Sequence, residues 1–496
     1  NKNMYKEPKY RTILESTKEE LNKLRNISLN DKYKPLFHIH PQHGLLNDPN
    51  GLAYYNDKYH VFYQWYPYDA THGMKHWAYV SSDDFVNWNR EDVALIPIES
   101  YESHGVYSGN AIEVDGKLHM YYTGNIKYSA EDRYAYQNLA IMDKDGKITK
   151  YENNPIVSEI PKGYTGHVRD PKVFKRKDKY FMLLGAQTSD KKGVIIVYES
   201  KNSIDWNFKG ELNIKNIDED FGYMWECPDY INIDGKDVLI FSPQGVEPKG
   251  FDYQNIYNVV YAIGNMDLDN LTFQIDIMKE MEKGFDFYAP QTFTKESQII
   301  LFAWAGMGEV LYPTDKNKWA HCLTVPRKLN IKNNKLLQMP VDELIKLRYD
   351  ETSGQNTIKN NINIIENDEN VYELNINIKN IDSNKFGLEL FSSQDEGVKL
   401  EFNKVGNTVT LDRSNFKKVF GVEYGTNRKE YINIDENTNI KVLADRSILE
   451  IFINDGEVVF TSRIFAKENS NQIRVYSDKI VEYKYTKFKL KQGIEL

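Results

Sequence analysis

Two cysteines in 496 residues cannot build a disulfide framework or a paired-cysteine metal site, and so few suit a reducing compartment. No run of about 18 apolar residues occurs, so no membrane-spanning helix and no membrane partner are expected. Lys and Arg (63) are outnumbered by Asp and Glu (72), a formal charge of −9. That balance argues against nucleic acid, which is held by clustered excess positive charge. With 41% hydrophobic and 27% charged residues, wholesale disorder is excluded too. What the chain has in excess is aromatics: 35 Tyr, 23 Phe and 7 Trp. This is strand-rich composition, unlike that of a helical bundle, and it suits surfaces that stack on flat ligands. The length predicts at least two folded units.

The first residues, Asn1-Lys2-Asn3-Met4, are polar, with no basic segment leading into an apolar core. No secretory signal is visible, and a cytoplasmic setting is the expectation. Residues 8 to 26 read as a helix, with Leu14, Leu21 and Leu24 near one face and Ser16 with Glu19 as a capping box.

From residue 34 a turn followed by an aromatic or aliphatic strand recurs. The copies are Asp57-Lys58-Tyr59-His60-Val61-Phe62-Tyr63, Gly116-Lys117-Leu118-His119-Met120-Tyr121-Tyr122, Asp178-Lys179-Tyr180-Phe181-Met182-Leu183-Leu184, Lys236-Asp237-Val238-Leu239-Ile240-Phe241 and Ser297-Gln298-Ile299-Ile300-Leu301-Phe302. Their anchors Tyr59, Leu118, Tyr180, Val238 and Ile299 are 59, 62, 58 and 61 residues apart. Near-equal spacing predicts five four-stranded blades, a β-propeller, rather than chance hairpins. Residues 349 to 370 are polar and Asn-rich, and read as a linker with edge strands. Clean alternation follows at Tyr372, Leu374, Ile376 and Ile378, at Val398, Leu400 and Phe402, and at Leu449, Ile451 and Ile453 before an Asn454-Asp455-Gly456 hairpin turn. Such strands predict a β-sandwich. The expected fold is therefore all-β: an N-terminal helical extension over 1–33, a five-bladed propeller over 34–345 and a β-sandwich over 346–496.

Before each anchored strand lies a short segment, beginning near Asp48-Pro49, Ser108-Gly109, Asp170-Pro171, Glu226-Cys227-Pro228 and Ala289-Pro290. Equivalent strand ends converge on a propeller axis, so Asp48, Asp170 and Glu226 should face one pocket despite gaps of 122 and 56 residues. Three converging carboxylates suit either a hard cation or glycosidic chemistry by a nucleophile and an acid. Arg169 next to Asp170 favours the second, because a guanidinium would keep that carboxylate ionised and oppose a cation. Met224-Trp225 before Glu226 favour it as well, as apolar neighbours that raise a carboxyl pKa.

The motifs Leu46-Asn47-Asp48-Pro49-Asn50-Gly51, Arg169-Asp170-Pro171 and Glu226-Cys227-Pro228 resemble the three acid motifs of glycoside hydrolase family 32, the β-fructosidases. Phe62-Tyr63-Gln64-Trp65, Tyr107-Ser108-Gly109, Tyr122-Thr123-Gly124-Asn125, Leu323-Thr324-Val325-Pro326-Arg327 and Asp445-Arg446-Ser447 with Glu450-Ile451-Phe452 extend the likeness from residue 34 to the C-terminus. The resemblance implies a five-bladed propeller with a β-sandwich, and a retaining mechanism with carboxyls about 5 to 5.5 Å apart. Asp48 would be the nucleophile, Glu226 the general acid and base, and Asp170, paired with Arg169, the stabiliser of the transition state. Leu46, Asn47, Gln64, Tyr107, Ser108 and Arg169 would contact substrate, and Trp77 would form an aromatic wall. Trp304 is open between pocket and core. Cys227 would be a small buried neighbour of the acid, and His40 and His43 structural. No metal or other cofactor is implied, and the partner is a small sugar.

Within the family, Gly222-Tyr223-Met224-Trp225-Glu226-Cys227-Pro228-Asp229 most resembles the bacterial branch acting on sucrose 6-phosphate. A phosphate needs cationic or amide donors at the rim. Lys75, in a loop with His72 and His76, and Arg133 are the candidates. The alternatives are a fructan hydrolase with the same acids, or a non-catalytic carbohydrate-binding propeller.

Overall fold

The computed structural model describes residues 2–434 and 436–496. Five antiparallel sheets form the propeller. Their innermost strands are Gly44–Tyr55, Val106–Val114, Tyr164–Arg176, Met224–Ile233 and Tyr288–Lys295, one per blade. Each innermost strand packs on its neighbours in adjoining blades, and the fifth packs on the first, so the ring is closed. A parallel pairing helps to close it: Trp319–Ala320, which follows the second strand of blade five, adds to the inner edge of blade one beside Gly44 and Leu45. The repeated strands Lys58–Tyr66, Lys117–Lys127, Lys179–Thr188, Lys236–Gln244 and Gln298–Ala305 lie second in each blade. Four of their anchors are buried between blades, and Tyr180, partly exposed beneath Lys175, is the exception. The aromatic excess fills the inter-blade spaces. Tyr59 stacks on Phe85 at 3.8 Å with Phe293 of blade five edge-on, and Phe62, Trp77 and Tyr122 pack between blades one and two.

The N-terminal helix is shorter and later than expected, at Lys18–Leu29. Thr17, not Ser16, caps it by accepting from the Glu20 N–H. Ser16 instead donates to the Ile13 carbonyl, closing a separate 3-10 turn at Ile13–Glu15 whose capping box is Thr12 with Glu15. The preceding residues run extended along blades one and two, where the Tyr5 N–H reaches the Lys127 carbonyl and the Lys9 carbonyl receives the Met74 N–H.

The second unit is a β-sandwich whose alternating residues form their own apolar core. The polar stretch read as a linker is instead one 18-residue strand, Arg348–Ile365. It pairs along its whole length with Gln472–Leu490, the long strand that joins the two halves of the sandwich. Its side chains are mostly exposed because it is an edge strand, which explains the polar sequence. The Asn454-Asp455-Gly456 turn has positive φ at all three residues and links Ile453 to Val458. It docks so tightly on blade five that a Cβ on Gly456 would lie 2.2 Å from the Gln338 carbonyl oxygen.

A buried polar network joins the two units. His38, before blade one, bonds through Nδ1 to Asp445 at 2.8 Å and through Nε2 to Glu450 at 2.6 Å. Arg327 of blade five donates to the other oxygen of Glu450 and to Thr461, and all the charged side chains are fully buried. Among the described residues no helix is long and apolar enough to cross a membrane.

Candidate active site

Every innermost strand carries a β-bulge at the same place, two residues facing one on the second strand. Asn47-Asp48 face Gln64, Tyr107-Ser108 face Thr123, Asp170-Pro171 face Leu184, Cys227-Pro228 face Phe241 and Ala289-Pro290 face Ala303. A bulge re-aims side chains toward the axis, and positive φ at Asp170, Cys227 and Ala289 marks the distortion. The motifs read in sequence are these bulges. Gly109 is required beside one of them, because a Cβ there would meet the Tyr121 carbonyl oxygen at 1.7 Å.

Asp48 and Asp170 converge as expected. One carboxylate oxygen of each lies within 4.8 Å of the other and of the Cys227 sulfur. Asp48 accepts from Ser108 Oγ at 2.6 Å and from Asn47 Nδ2 at 3.2 Å. Asp170 accepts from the Cys227 N–H at 2.9 Å, while its own N–H is held by Thr123. Glu226 accepts from Arg169 Nε and Nη2 at 3.1 and 2.9 Å on one oxygen, and from Tyr288 Oη at 2.7 Å on the other. Arg169, Glu226 and Tyr288 each stand one residue before their bulge, so equivalent positions of three consecutive blades are bonded in a row.

Two electrostatic expectations change. Arg169 bonds Glu226 and His167 and not Asp170, because successive residues of a strand project to opposite sides. Arg169 still favours ionised Asp170, but burial outweighs it and drives the pKa up to about 7, with Glu226 and Asp48 adding to the rise. Asp48 is raised by burial and by Glu226, against the pull of Ser108, Lys75 and Asn47. The apolar neighbours of Glu226 do not surround its carboxyl either. Trp225 turns away to stack on Phe241 at 4.3 Å and donates to the Phe221 carbonyl.

Other predicted residues separate into those near the carboxylates and those behind them. Asn47 and Ser108 hold Asp48, and Gln64 donates to Asn50 and the Val106 carbonyl from behind the first bulge. Tyr107 is half-buried next to Ser108. Leu46 is fully buried in the apolar core, so its side chain cannot reach a ligand. Trp77 is also fully buried and donates to the Tyr107 carbonyl, which makes it core and not wall. Lys75 is not at the rim. Its buried Nζ donates to Asn47 Oδ1 at 2.7 Å and lies 2.7 Å from His72 Nδ1, with burial lowering its pKa to about 7 and Asp48 opposing. It positions Asn47 and hence Asp48. Trp304 is buried between His72, Tyr288 and His321. His40 and His43 bond backbone carbonyls.

Tyr288 went unnoticed in the sequence, although it precedes Ala289-Pro290 by the same step that puts Glu226 before Cys227-Pro228. Cys227 is closer to the chemistry than expected, its Sγ 3.4 Å from Asp48 and 3.5 Å from Asp170. Burial and the three carboxylates raise its thiol well above the ordinary range. Asp48, Asp170 and Cys227 are a poor set for a hard cation, which takes six to eight oxygens rather than a protonated thiol. Paired carboxylates with one oriented by Arg and Tyr suit acid-and-nucleophile chemistry.

Comparison with known proteins agrees with this geometry. The model of the glycosyl hydrolases family 32 N-terminal domain matches residues 38–340, and that of the family 32 C-terminal domain matches residues 343–492. A sucrose-6-phosphate hydrolase of Staphylococcus xylosus is 39% identical over 98% of both chains, and one of Bacillus subtilis is 37% identical over 92% of this chain and 94% of the other. Among solved structures, the sucrose-6-phosphate hydrolase of Lactobacillus gasseri superposes with a TM-score of 0.91 at 34% identity, covering 99% of this chain and all of that one. A Bombyx mori family 32 β-fructofuranosidase gives 0.81 at 31%, covering 97% and 99%. The chain is a glycoside hydrolase that belongs to family 32.

Proposed function

We propose that the protein is a retaining β-fructofuranosidase whose physiological substrate is sucrose 6-phosphate, cleaved to fructose and glucose 6-phosphate in the cytoplasm. The observation that carries the mechanism is the division of labour among the three carboxylates. Asp48 accepts only from the uncharged groups of Ser108, Asn47 and Cys227, whereas Glu226 is clamped from both sides by Arg169 and Tyr288. Asp48 attacks the anomeric carbon of the fructosyl unit as Glu226 gives its proton to the glycosidic oxygen, so the glucosyl group leaves as an alcohol. Glu226 then takes a proton from water, and the water oxygen displaces Asp48 from the fructosyl carbon. Asp170, kept close by the Cys227 N–H, holds the fructosyl hydroxyls. Its raised pKa supports a site that retains a proton among its carboxyls near neutral pH, a property of the set and not of one residue.

Full-length relatives named for sucrose 6-phosphate support the substrate, and two free cysteines suit a reducing compartment. The test is hydrolysis of sucrose, sucrose 6-phosphate and inulin by the purified protein, with Asp48→Asn as control. Sucrose 6-phosphate should give the highest kcat/KM, and Asp48→Asn should abolish turnover of all three. Fructose release at full rate from Asp48→Asn would remove Asp48 from the mechanism, and a preference for inulin would replace the substrate.

A further inference from the structure

A cluster of positive charge whose members make no ion pair of their own lies on the Glu226 side of the pocket, with Glu226 acting on Arg133 and Glu7 on Lys127 only from a distance. Lys127 and Arg133 face each other directly across the hairpin of blade two, an arrangement of like charges that weakens a sheet unless something else offsets it. Among the described residues, neither is within ion-pair distance of a carboxylate, and Arg133 Nε is buried with no hydrogen-bond partner. The Arg133 backbone packs on blade three, where a Cβ on Gly166 would come within 2.0 Å of its carbonyl oxygen and 3.0 Å of its Cγ. The next residue on that strand is His167, whose Nδ1 lies 2.7 Å from Arg169 Nη1. Arg169 can only donate, so Nδ1 accepts and the remaining ring proton sits on Nε2 as a fixed donor. Burial, then Arg169, Arg133, Lys191 and Lys127, hold this imidazole far below its ordinary pKa, and burial with Arg133 lowers Lys127 to about 8.

A chain carrying −9 overall thus collects Arg133, Lys127, Lys191 and a neutral His167 donor next to the proton-donating carboxylate. Charge that is half-buried without a directly bonded counter-charge is costly, and a bound anion lowers the cost. The anion must belong to the leaving group, because Glu226 protonates the oxygen that the leaving sugar carries away. Tyr10 from the N-terminal segment, its ring 5.7 Å from Lys127 Nζ, borders the same corner and Arg133.

We infer that Arg133, Lys127 and His167 Nε2 form the subsite for a phosphate monoester on the leaving sugar, with Lys191 contributing longer-range attraction. This rests on the sucrose 6-phosphate reading above and replaces Lys75 with residues from blades two and three. The test compares kcat/KM for sucrose 6-phosphate with kcat/KM for sucrose in the wild-type full chain, in Arg133→Gln and in Lys127→Gln. A charge-assisted phosphate bond predicts that Arg133→Gln lowers the ratio by about 10- to 100-fold, with a smaller effect from Lys127→Gln. Glucose 6-phosphate should inhibit sucrose hydrolysis by the wild type more strongly than glucose, and Arg133→Gln should erase that difference. Should Arg133→Gln not fold, Lys127→Gln and the product inhibition carry the test. A wild-type ratio near one defeats the substrate reading and the subsite together. A high ratio that survives both substitutions, with glucose 6-phosphate still the better inhibitor, defeats the subsite alone.

Discussion

His38 joins the propeller to the sandwich as an imidazolium, and this makes the stability of the whole chain depend on alkaline pH. Both ring nitrogens face carboxylates, Asp445 at 2.8 Å and Glu450 at 2.6 Å, so both carry protons. Burial opposes the charge, but the hydrogen bonds and charges of the two carboxylates outweigh it and raise the pKa from 6.5 to about 9. A group whose folded pKa exceeds its unfolded one stabilises fully below the unfolded value and loses that contribution as pH rises through the folded value. Each pH unit between 6.5 and about 9 is worth about 1.4 kcal/mol, so the protonated ring contributes on the order of 3 kcal/mol below pH 6.5 and nothing well above 9. The assay is urea unfolding followed by tryptophan fluorescence, on the wild type and His38→Gln, from about pH 6 to about pH 10. The variant should be less stable by about 3 to 5 kcal/mol at the acid end, as expected when one partner of a buried ion pair is removed. The gap should narrow by about 3 kcal/mol toward the alkaline end. Taking the difference cancels other groups that titrate in the same window. A gap that stays constant across the range would show that His38 is neutral in the fold and would refute the reasoning.

Three further outcomes follow from the site. Ser108→Ala removes a donor that favours ionised Asp48, so the acid limb of the kcat/KM profile should move to higher pH by about one unit; an unmoved limb would deny Ser108 that role. Tyr288→Phe should lower kcat/KM for sucrose by about 10- to 100-fold while leaving activated aryl fructosides less affected, since the phenol orients the proton donor; equal losses on both substrates would separate Tyr288 from proton transfer. Trp77→Ala should cost about 3 to 5 kcal/mol of stability, read as a fall in thermal midpoint, because the ring is fully buried; a stable variant with a raised KM would restore the wall reading.

The fold was legible because two periodicities are written plainly in the chain: a repeat near 60 residues for the blades, and period-two alternation for the sandwich. The acids were legible for the same reason, since a repeat turns positions far apart in sequence into neighbours. Side-chain direction was not legible. Arg169 adjoins Asp170 in the chain, yet it bonds Glu226 of the next blade, and Trp225 adjoins Glu226 yet packs into another cluster. Leu46 sits within a motif and Trp77 was expected as a wall, but both point into the core. Lys75 was misread because a lysine in a polar loop is ordinarily solvated, and only the fold brings Asn47 and Asp48 above it. The edge strand at 348–365 was misread because its exposed side chains carry no apolar pattern, while the backbone pairing that holds it lies outside what composition records.

The bulges explain how one repeated strand yields three different chemical roles. The residue just before each bulge is Leu46, Val106, Arg169, Glu226 or Tyr288 in blade order. It is apolar and fully buried in the first two blades, and polar and mutually bonded in the last three. The second bulge residue does the reverse: Asp48 and Ser108 in blades one and two, then proline in the other three. Asp48, the proposed nucleophile, and its donor Ser108 therefore occupy one offset, and Glu226, the proposed proton donor, occupies another with its two clamps. Asp170 takes the first bulge position, between them. Shifting the offset by two residues, from Asp48 to the position of Glu226, changes the partners from Ser and Asn to Arg and Tyr, and in the proposed mechanism this separates attacking group from proton donor. The cations of blade two, Lys127 and Arg133, and the neutral His167 of blade three lie on the same side as the Arg169 clamp, so in the proposed mechanism the side that protonates the leaving group is also the side that recognises it.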